Sequence, residues 1–236
     1  MNIALIIAGG CGERMGQDIP KQFLVVRNKP VIVYTMEAFQ NHPSIDRIVV
    51  VCLRGWEQIL EAYCREFHIT KLEKILLGGA CGQESIYKGI MYLKERYRED
   101  DIVLVHDAIR PMVSQEIISD CLRVCLLHGN AVTTIPCLEA MFYTSDEESL
   151  ERQISRDNLK RTQTPQATSL GKMIWAHEEG KKRGIFHSIA TCTLLEELGE
   201  KVYMSKGSEK NIKLTTPDDI DIFIALLEVK PTEWMK

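Results

Sequence analysis

Short, continuously apolar runs recur along this chain, separated by longer stretches in which apolar and polar positions alternate with helical spacing. A run of four to eight apolar residues bounded by turn residues is the pattern of a strand buried on both faces. Ile3 to Ala8 is such a run, and it ends in the glycine-rich segment 9–16. Arg47 to Leu53, Lys74 to Leu77, Ile102 to Val105 and Ala131 to Pro136 read as further strands. Between them, Val31 to Phe39 (with Pro30 at its first turn), Gly55 to Phe67, Ser85 to Tyr97 and Ser114 to Leu127 read as helices. Segment 138–165 is polar and irregular and reads as an excursion from the core. Helices near 169–182 and 191–198, a strand at 201–205 and the strand-like stretch Asn211 to Leu214 follow. A last helix opens at Thr216-Pro217-Asp218-Asp219: a threonine cap, proline at the first helical position, and an acid three residues after the cap.

Apolar strands alternating with helices predict an α/β fold, a mostly parallel sheet with helices on both faces. No repeat, linker or low-complexity tract divides residues 1–236, which read as one domain. Ligands of such sheets bind at the carboxyl ends of the strands. Gly9-Gly10, Gly78-Gly79, His106-Asp107 and Lys213 all fall there.

Composition narrows the partners. The 236 residues are 45% hydrophobic and 26% charged, with 29 basic and 33 acidic residues giving a net charge of −4. No basic tract stands out, so neither nucleic acid nor an anionic membrane surface is expected. No apolar run approaches the roughly 20 residues that span a bilayer, and the N-terminus lacks a basic leader. Eight scattered cysteines without a CxxC pair fit free thiols in a reducing cytoplasm, the expected location.

Five segments carry candidate chemistry. In Ala8-Gly9-Gly10-Cys11-Gly12-Glu13-Arg14-Met15, followed by Pro20-Lys21-Gln22, glycines after a strand let backbone N–H groups approach phosphate oxygens. The segment is neither a P-loop nor a dinucleotide fingerprint; its own signature is two cations, Arg14 and Lys21, suited to a triphosphate. His106-Asp107-Ala108-Ile109-Arg110-Pro111 places a carboxylate at a strand end, where Mg²⁺ takes one or two carboxylates. Read alone, the segment is better explained by Asp107 capping the next turn, and His106 is expected to be structural. Gly78-Gly79-Ala80-Cys81-Gly82-Gln83-Glu84-Ser85 lets a base or ribose pack on backbone, with Ser85 both capping a helix and available to a base edge. Arg156, with Thr164-Pro165-Gln166 downstream, lies on the excursion, where an arginine is ordinarily a solvated charge. In Asn211-Ile212-Lys213-Leu214-Thr215 a lysine interrupts an apolar stretch and calls for an anion.

Together AGGxGxRM, PKQF, GG…ES, HDAxRP, TPQ and NIKxTxPxD resemble the cytidylyltransferase family that includes 2-C-methylerythritol 4-phosphate and ribitol 5-phosphate cytidylyltransferases, across nearly the whole chain. The resemblance implies a Rossmann-like sheet with a projecting arm, here about 138–165, exchanged across a homodimer. It implies that Ala8, Gly9, Gly10, Gly79 and Ser85 hold CTP, that Arg14 and Lys21 bind its triphosphate, and that Asp107 binds Mg²⁺. Lys213 would sit beside the α-phosphate. Arg110, Ala140 and Thr164 would line the acceptor pocket, and Arg156 would reach the acceptor's phosphate from the partner subunit. The implied reaction is transfer of CMP from CTP to a small alcohol phosphate, with pyrophosphate released.

The chain departs from the methylerythritol-type pattern on the acceptor side. Gly82 stands near a typical arginine, Glu139-Ala140-Met141-Phe142 replaces an Asp-Thr-x-Lys run, and Ile189-Ala190-Thr191 replaces Thr-Asp-Glu. A polyol phosphate such as ribitol 5-phosphate is therefore the expected acceptor, although ribitol-type members also keep an aspartate near Ala190. The alternatives are methylerythritol phosphate itself, a sugar-1-phosphate nucleotidyltransferase, and a catalytically silent nucleotide-binding homodimer. The glycine spacing disfavours a dehydrogenase.

Overall fold

The computed structural model describes residues 1–10, 19–186, 188 and 190–229. β1 (Asn2–Ala8) is followed by a 3₁₀ turn (Lys21–Phe23), the ribbon β2 (Val25–Val26) and β3 (Lys29–Pro30), and α1 (Val31–Gln40). Next come β4 (Arg47–Cys52), α2 (Glu57–Glu66), β5 (Leu72–Leu77), α3 (Gly82–Lys94), β6 (Ile102–Asp107) and α4 (Gln115–His128). β7 (Asn130–Pro136) leads into the hairpin β8 (Met141–Tyr143) and β9 (Arg152–Ile154), then β10 (Lys160–Ser169) and α5 (Leu170–Lys182). α6 (Thr191–Glu197), β11 (Met204–Lys206) and α7 (Pro217–Glu228) complete the chain.

Seven strands form one sheet in the order β11-β7-β10-β6-β1-β4-β5. β1 pairs parallel with β4 and β6, and β4 with β5, while β10 lies antiparallel between β6 and β7. Because successive side chains point to opposite faces, each apolar strand feeds two cores. Ala4, Ile6, Ile48, Val50 and Leu104 pack under α1, α2 and α4. Ile3, Leu5, Val49, Val51 and Val103 pack under α3 and α5. Full burial of such aliphatic side chains contributes about 1.5–3 kcal/mol apiece. The expected fold class is the one observed.

Four local readings change. Pro30 pairs with Val25 in the ribbon and caps α1 from outside the helix. α3 begins at Gly82, three residues before Ser85. Asn211–Leu214 runs outside the sheet, held by the Leu214 N–H on the Ile109 carbonyl at 2.9 Å. The excursion narrows, because Lys160, Arg161 and Thr162 already pair with Pro136, Ile135 and Thr134 in the sheet. The capping box at α7 forms as read, with Asp219 accepting the Thr216 N–H at 2.7 Å.

Candidate active site

Chain order reverses at β1: β4 and β5 lie on one side of it, β6 on the other. In an open α/β sheet such a switch point leaves a crevice at the strand ends. Ala8 and Asp107 end the two strands flanking it, with Ile7 in register with Asp107. A cleft of about 280 Å³ opens there, lined among others by Ala8, Gly9, Gly10, Lys21, Gly79, Ser85, Asp107 and Lys213.

Its floor is backbone. Gln22 donates its Nε2 hydrogens to the carbonyls of Ala8 at 2.8 Å and Gly10 at 2.9 Å, fixing the start of the glycine loop. The two glycine loops touch: a Cβ on Gly78 would lie 3.2 Å from Gly9 Cα and 3.1 Å from the Cys52 carbonyl oxygen. Ser85, buried, accepts the Gly79 N–H at 3.0 Å and donates to the Cys81 carbonyl at 2.9 Å. Its proton is thus engaged, and its remaining capacity toward a ligand is as an acceptor.

Asp107 is the electrostatic centre. Its Oδ2 receives Arg110 Nε at 3.1 Å and lies 3.2 Å from Lys213 Nζ. Burial alone would raise the Asp107 carboxyl, but Lys213, Arg110 and His106 outweigh it and hold the group below the ordinary carboxylate value. Arg110 in turn donates through Nη1 to the Asn211 carbonyl at 2.8 Å, so the two motifs share one charge network. His106 lies wholly inside, and burial lowers its pKa to about 4, leaving it neutral at pH 7. The Asp107 N–H donates to Thr164 Oγ1 at 3.1 Å, and that hydroxyl meets His106 Nδ1 at 3.0 Å. His106 Nε2 faces the Arg110 carbonyl at 3.3 Å. One assignment satisfies all three contacts: Thr164 donates to Nδ1, and Nε2–H donates to the carbonyl. His106 is therefore a brace within the turn that presents Asp107.

Beyond Asp107 and Lys213 the cleft continues into a hollow of about 120 Å³ lined by Gly82, Arg110, Thr164, Gln166, Ala190 and Thr191, among others. The arrangement pairs a backbone cradle for a nucleotide with a cation-bordered carboxylate and a smaller space for a second reactant.

The comparisons decide the family. Residues 2–228 match the family model described as IspD: 2-C-methyl-D-erythritol 4-phosphate cytidylyltransferase. The chain belongs to the IspD family. A ribitol-5-phosphate cytidylyltransferase of Lacticaseibacillus paracasei is 43% identical over 98% of this chain and 99% of its own. A 2-C-methyl-D-erythritol 4-phosphate cytidylyltransferase of Clostridium botulinum is 35% identical over 96% of this chain and 97% of its own. The solved 2-C-methyl-D-erythritol 4-phosphate cytidylyltransferase of Francisella tularensis superposes with a TM-score of 0.79 at 26% identity, covering 94% of this chain and 97% of that one. This IspD-family chain is a cytidylyltransferase, a nucleotidyltransferase.

Most of the expected site residues meet. Ala8, Gly9, Gly10, Lys21, Gly79, Ser85, Asp107 and Lys213 share the cleft, and Arg110 and Thr164 line the adjoining hollow. Arg14 lies outside the described residues. Arg156 and Ala140 are elsewhere: they line a separate hollow on the β8–β9 arm with Gln153 to Asp157, and Arg156 hydrogen-bonds the Leu138 carbonyl. Within one chain neither lines the cleft or the adjoining hollow. Sequence reasoning assigned no role to Gln22, Gln163 or Asn211. Gln163 and Asn211 are buried and joined at 3.2 Å, tying β10 to the segment that carries Lys213. Their position beside the motif residues was the available signal. No helix among the described residues is long and apolar enough to cross a membrane.

Proposed function

We propose that this enzyme transfers CMP from CTP to a pentitol phosphate, ribitol 5-phosphate, releasing pyrophosphate and forming CDP-ribitol. The observation that carries the acceptor is the 43% identity, along the full length of both chains, to a ribitol-5-phosphate cytidylyltransferase, against 35% for the methylerythritol-type relative. The chemistry of the hollow supports it. Gly82 places no cation between nucleotide and acceptor sides, whereas Ala190 departs from both types alike and favours neither acceptor. A pocket built for a particular polar group discriminates strongly against partners that leave that group unpaired. Ser85, left with acceptor capacity only, suits the exocyclic amino group of cytosine over the carbonyl of uracil.

An oxygen of the acceptor's phosphate attacks the α-phosphorus of CTP in line. The new P–O bond forms as the bond to the bridging oxygen of pyrophosphate breaks, and the electron pair leaves with pyrophosphate. No covalent enzyme intermediate is required, so alignment and charge neutralisation carry the rate. Lys21 and Lys213 supply positive charge around the triphosphate, and Asp107 with Arg110 orients Lys213. The Asp107 carboxylate borders the cleft and would hold Mg²⁺, which takes one or two protein carboxylates and draws its other oxygens from phosphates and water. Bound there, the ion would neutralise charge developing on the phosphate oxygens.

The homodimer is part of the reading. The arm exposes Leu138, Met141, Phe142, Tyr143 and Leu150, an apolar surface suited to burial against a second copy. Exchange across that surface would bring Arg156 and Ala140 to the partner's acceptor hollow. A cytoplasmic setting agrees with the free cysteines Cys52, Cys64, Cys121 and Cys125, all buried thiols. Incubation with CTP, MgCl₂ and ribitol 5-phosphate is expected to release pyrophosphate and yield CDP-ribitol, with UTP a poor substitute. Equal turnover of UTP, or no nucleotidyl transfer to any pentitol phosphate, would overturn the reading.

A further inference from the structure

Segment 185–190 joins α5 to α6, and none of its described residues belongs to a helix or strand. It nevertheless forms part of the acceptor-side hollow, because Ala190 and Thr191 line that space. Two glutamines hold it. From β10, Gln166 Oε1 accepts the Cys192 N–H at 3.0 Å. From the first turn of α3, Gln83 makes a two-point clamp: Nε2 donates to the Ile185 carbonyl at 2.9 Å, and Oε1 accepts the Ser188 N–H at 2.8 Å. Both ends of one amide are thus satisfied by backbone groups about a hundred positions away in sequence. The residue before it, Gly82, lines both the nucleotide cleft and the acceptor-side hollow.

We infer that Gln83 is a positioning residue that carries the placement of the nucleotide-binding turn to the acceptor-side wall, setting where Ala190 and Thr191 stand relative to the α-phosphate. The inference rests on the reading of the smaller hollow as the acceptor site. Gln83 touches neither reactant in this role; it fixes a segment whose described residues lie outside every helix and strand. A wall displaced by a fraction of a hydrogen-bond length loosens the seat of the bound acceptor, so its affinity falls and its attacking oxygen loses alignment.

The test uses the full-length enzyme with two variants. Gln83→Met keeps the side chain's length and removes both hydrogen bonds. Gln83→Glu keeps the acceptor for Ser188 and loses the donor to Ile185. With the acceptor that the wild type turns over, Gln83→Met is expected to raise the acceptor KM about tenfold while the CTP KM moves less than about twofold. Gln83→Glu is expected to fall between. Hydrogen exchange of the free protein, which needs no acceptor, is expected to show faster exchange over 185–192 in Gln83→Met, with 78–82 unchanged. An unchanged acceptor KM, parallel rises in both KM values, or wild-type protection over 185–192 would overturn the inference. A wild type that prefers another acceptor would revise the reading of the substrate and leave the clamp to be judged by the same two measurements.

Discussion

Asp107 holds two cations, Arg110 and Lys213, on one carboxylate oxygen. Lys213→Met removes the cation proposed to lie beside the reacting phosphate and is expected to lower kcat about 10²–10³-fold, the scale of losing one preorganised electrostatic contact. Pyrophosphate release at saturating CTP and acceptor measures it; a change of less than tenfold would remove Lys213 from the transition state. Lys213, Arg110 and His106 hold the Asp107 carboxyl below the ordinary carboxylate range. Its ion pairs are therefore complete at every pH above the unfolded value and are lost only as pH falls through the lower, folded one. Neither Asp107 nor His106, at about 4, should inflect a kcat profile between about pH 5 and 8. An inflection in that range that vanished in His106→Gln would contradict the bracing role. At this scale the cleft positions of Lys21, Lys213 and the glycines were legible because the glycine turns and lysines stand in local motifs. Gln22, Gln163 and Asn211 were not, because a polar residue in a motif gives no sign of whether it meets solvent or buried backbone.

Among elements, β10 separates the pattern from the fold. Lys-Arg-Thr-Gln-Thr-Pro-Gln-Ala-Thr-Ser carries no apolar run and contains a proline, yet it lies between β6 and β7 in the middle of the sheet. Strand formation depends on neighbours more than on the strand's own residues, and the register shift between Thr162 and Gln166 accommodates Pro165, which has no N–H to donate. The parallel strands were legible because burial on both faces leaves only apolar residues. The contact between α3 and β1 was not. Gly89 packs so closely on β1 that a Cβ there would lie 2.5 Å from Leu5 Cδ1, a buried side chain. Gly89→Ala is accordingly expected to destabilise the protein by about 1–3 kcal/mol despite alanine's better helix propensity. Urea denaturation checks this; an unchanged or higher midpoint would show that Leu5 moves aside without cost.

At the scale of the molecule, His106 and His177 are buried, and burial lowers the pKa of each from the ordinary imidazole value of 6.5 to about 4. The unfolded chain binds their protons first as pH falls, so stability is full above about 6.5 and declines between 6.5 and 4, by up to about 3 kcal/mol for each histidine. Equal unfolding midpoints at pH 7 and pH 5 would contradict it. The arm gives a second test. If the proposed arm-exchanged homodimer forms, mixing Arg156→Ala with Lys213→Met chains is expected to restore roughly a quarter of wild-type activity, since each mixed dimer would rebuild one intact site. No recovery would mean that Arg156 does not act across subunits. The most direct test of the central claim is competition between acceptors: ribitol 5-phosphate and methylerythritol phosphate at equal concentration, with Mg²⁺ and limiting CTP, and the CDP products quantified by mass. CDP-ribitol is expected in large excess; a predominance of CDP-methylerythritol would contradict the assignment of the acceptor.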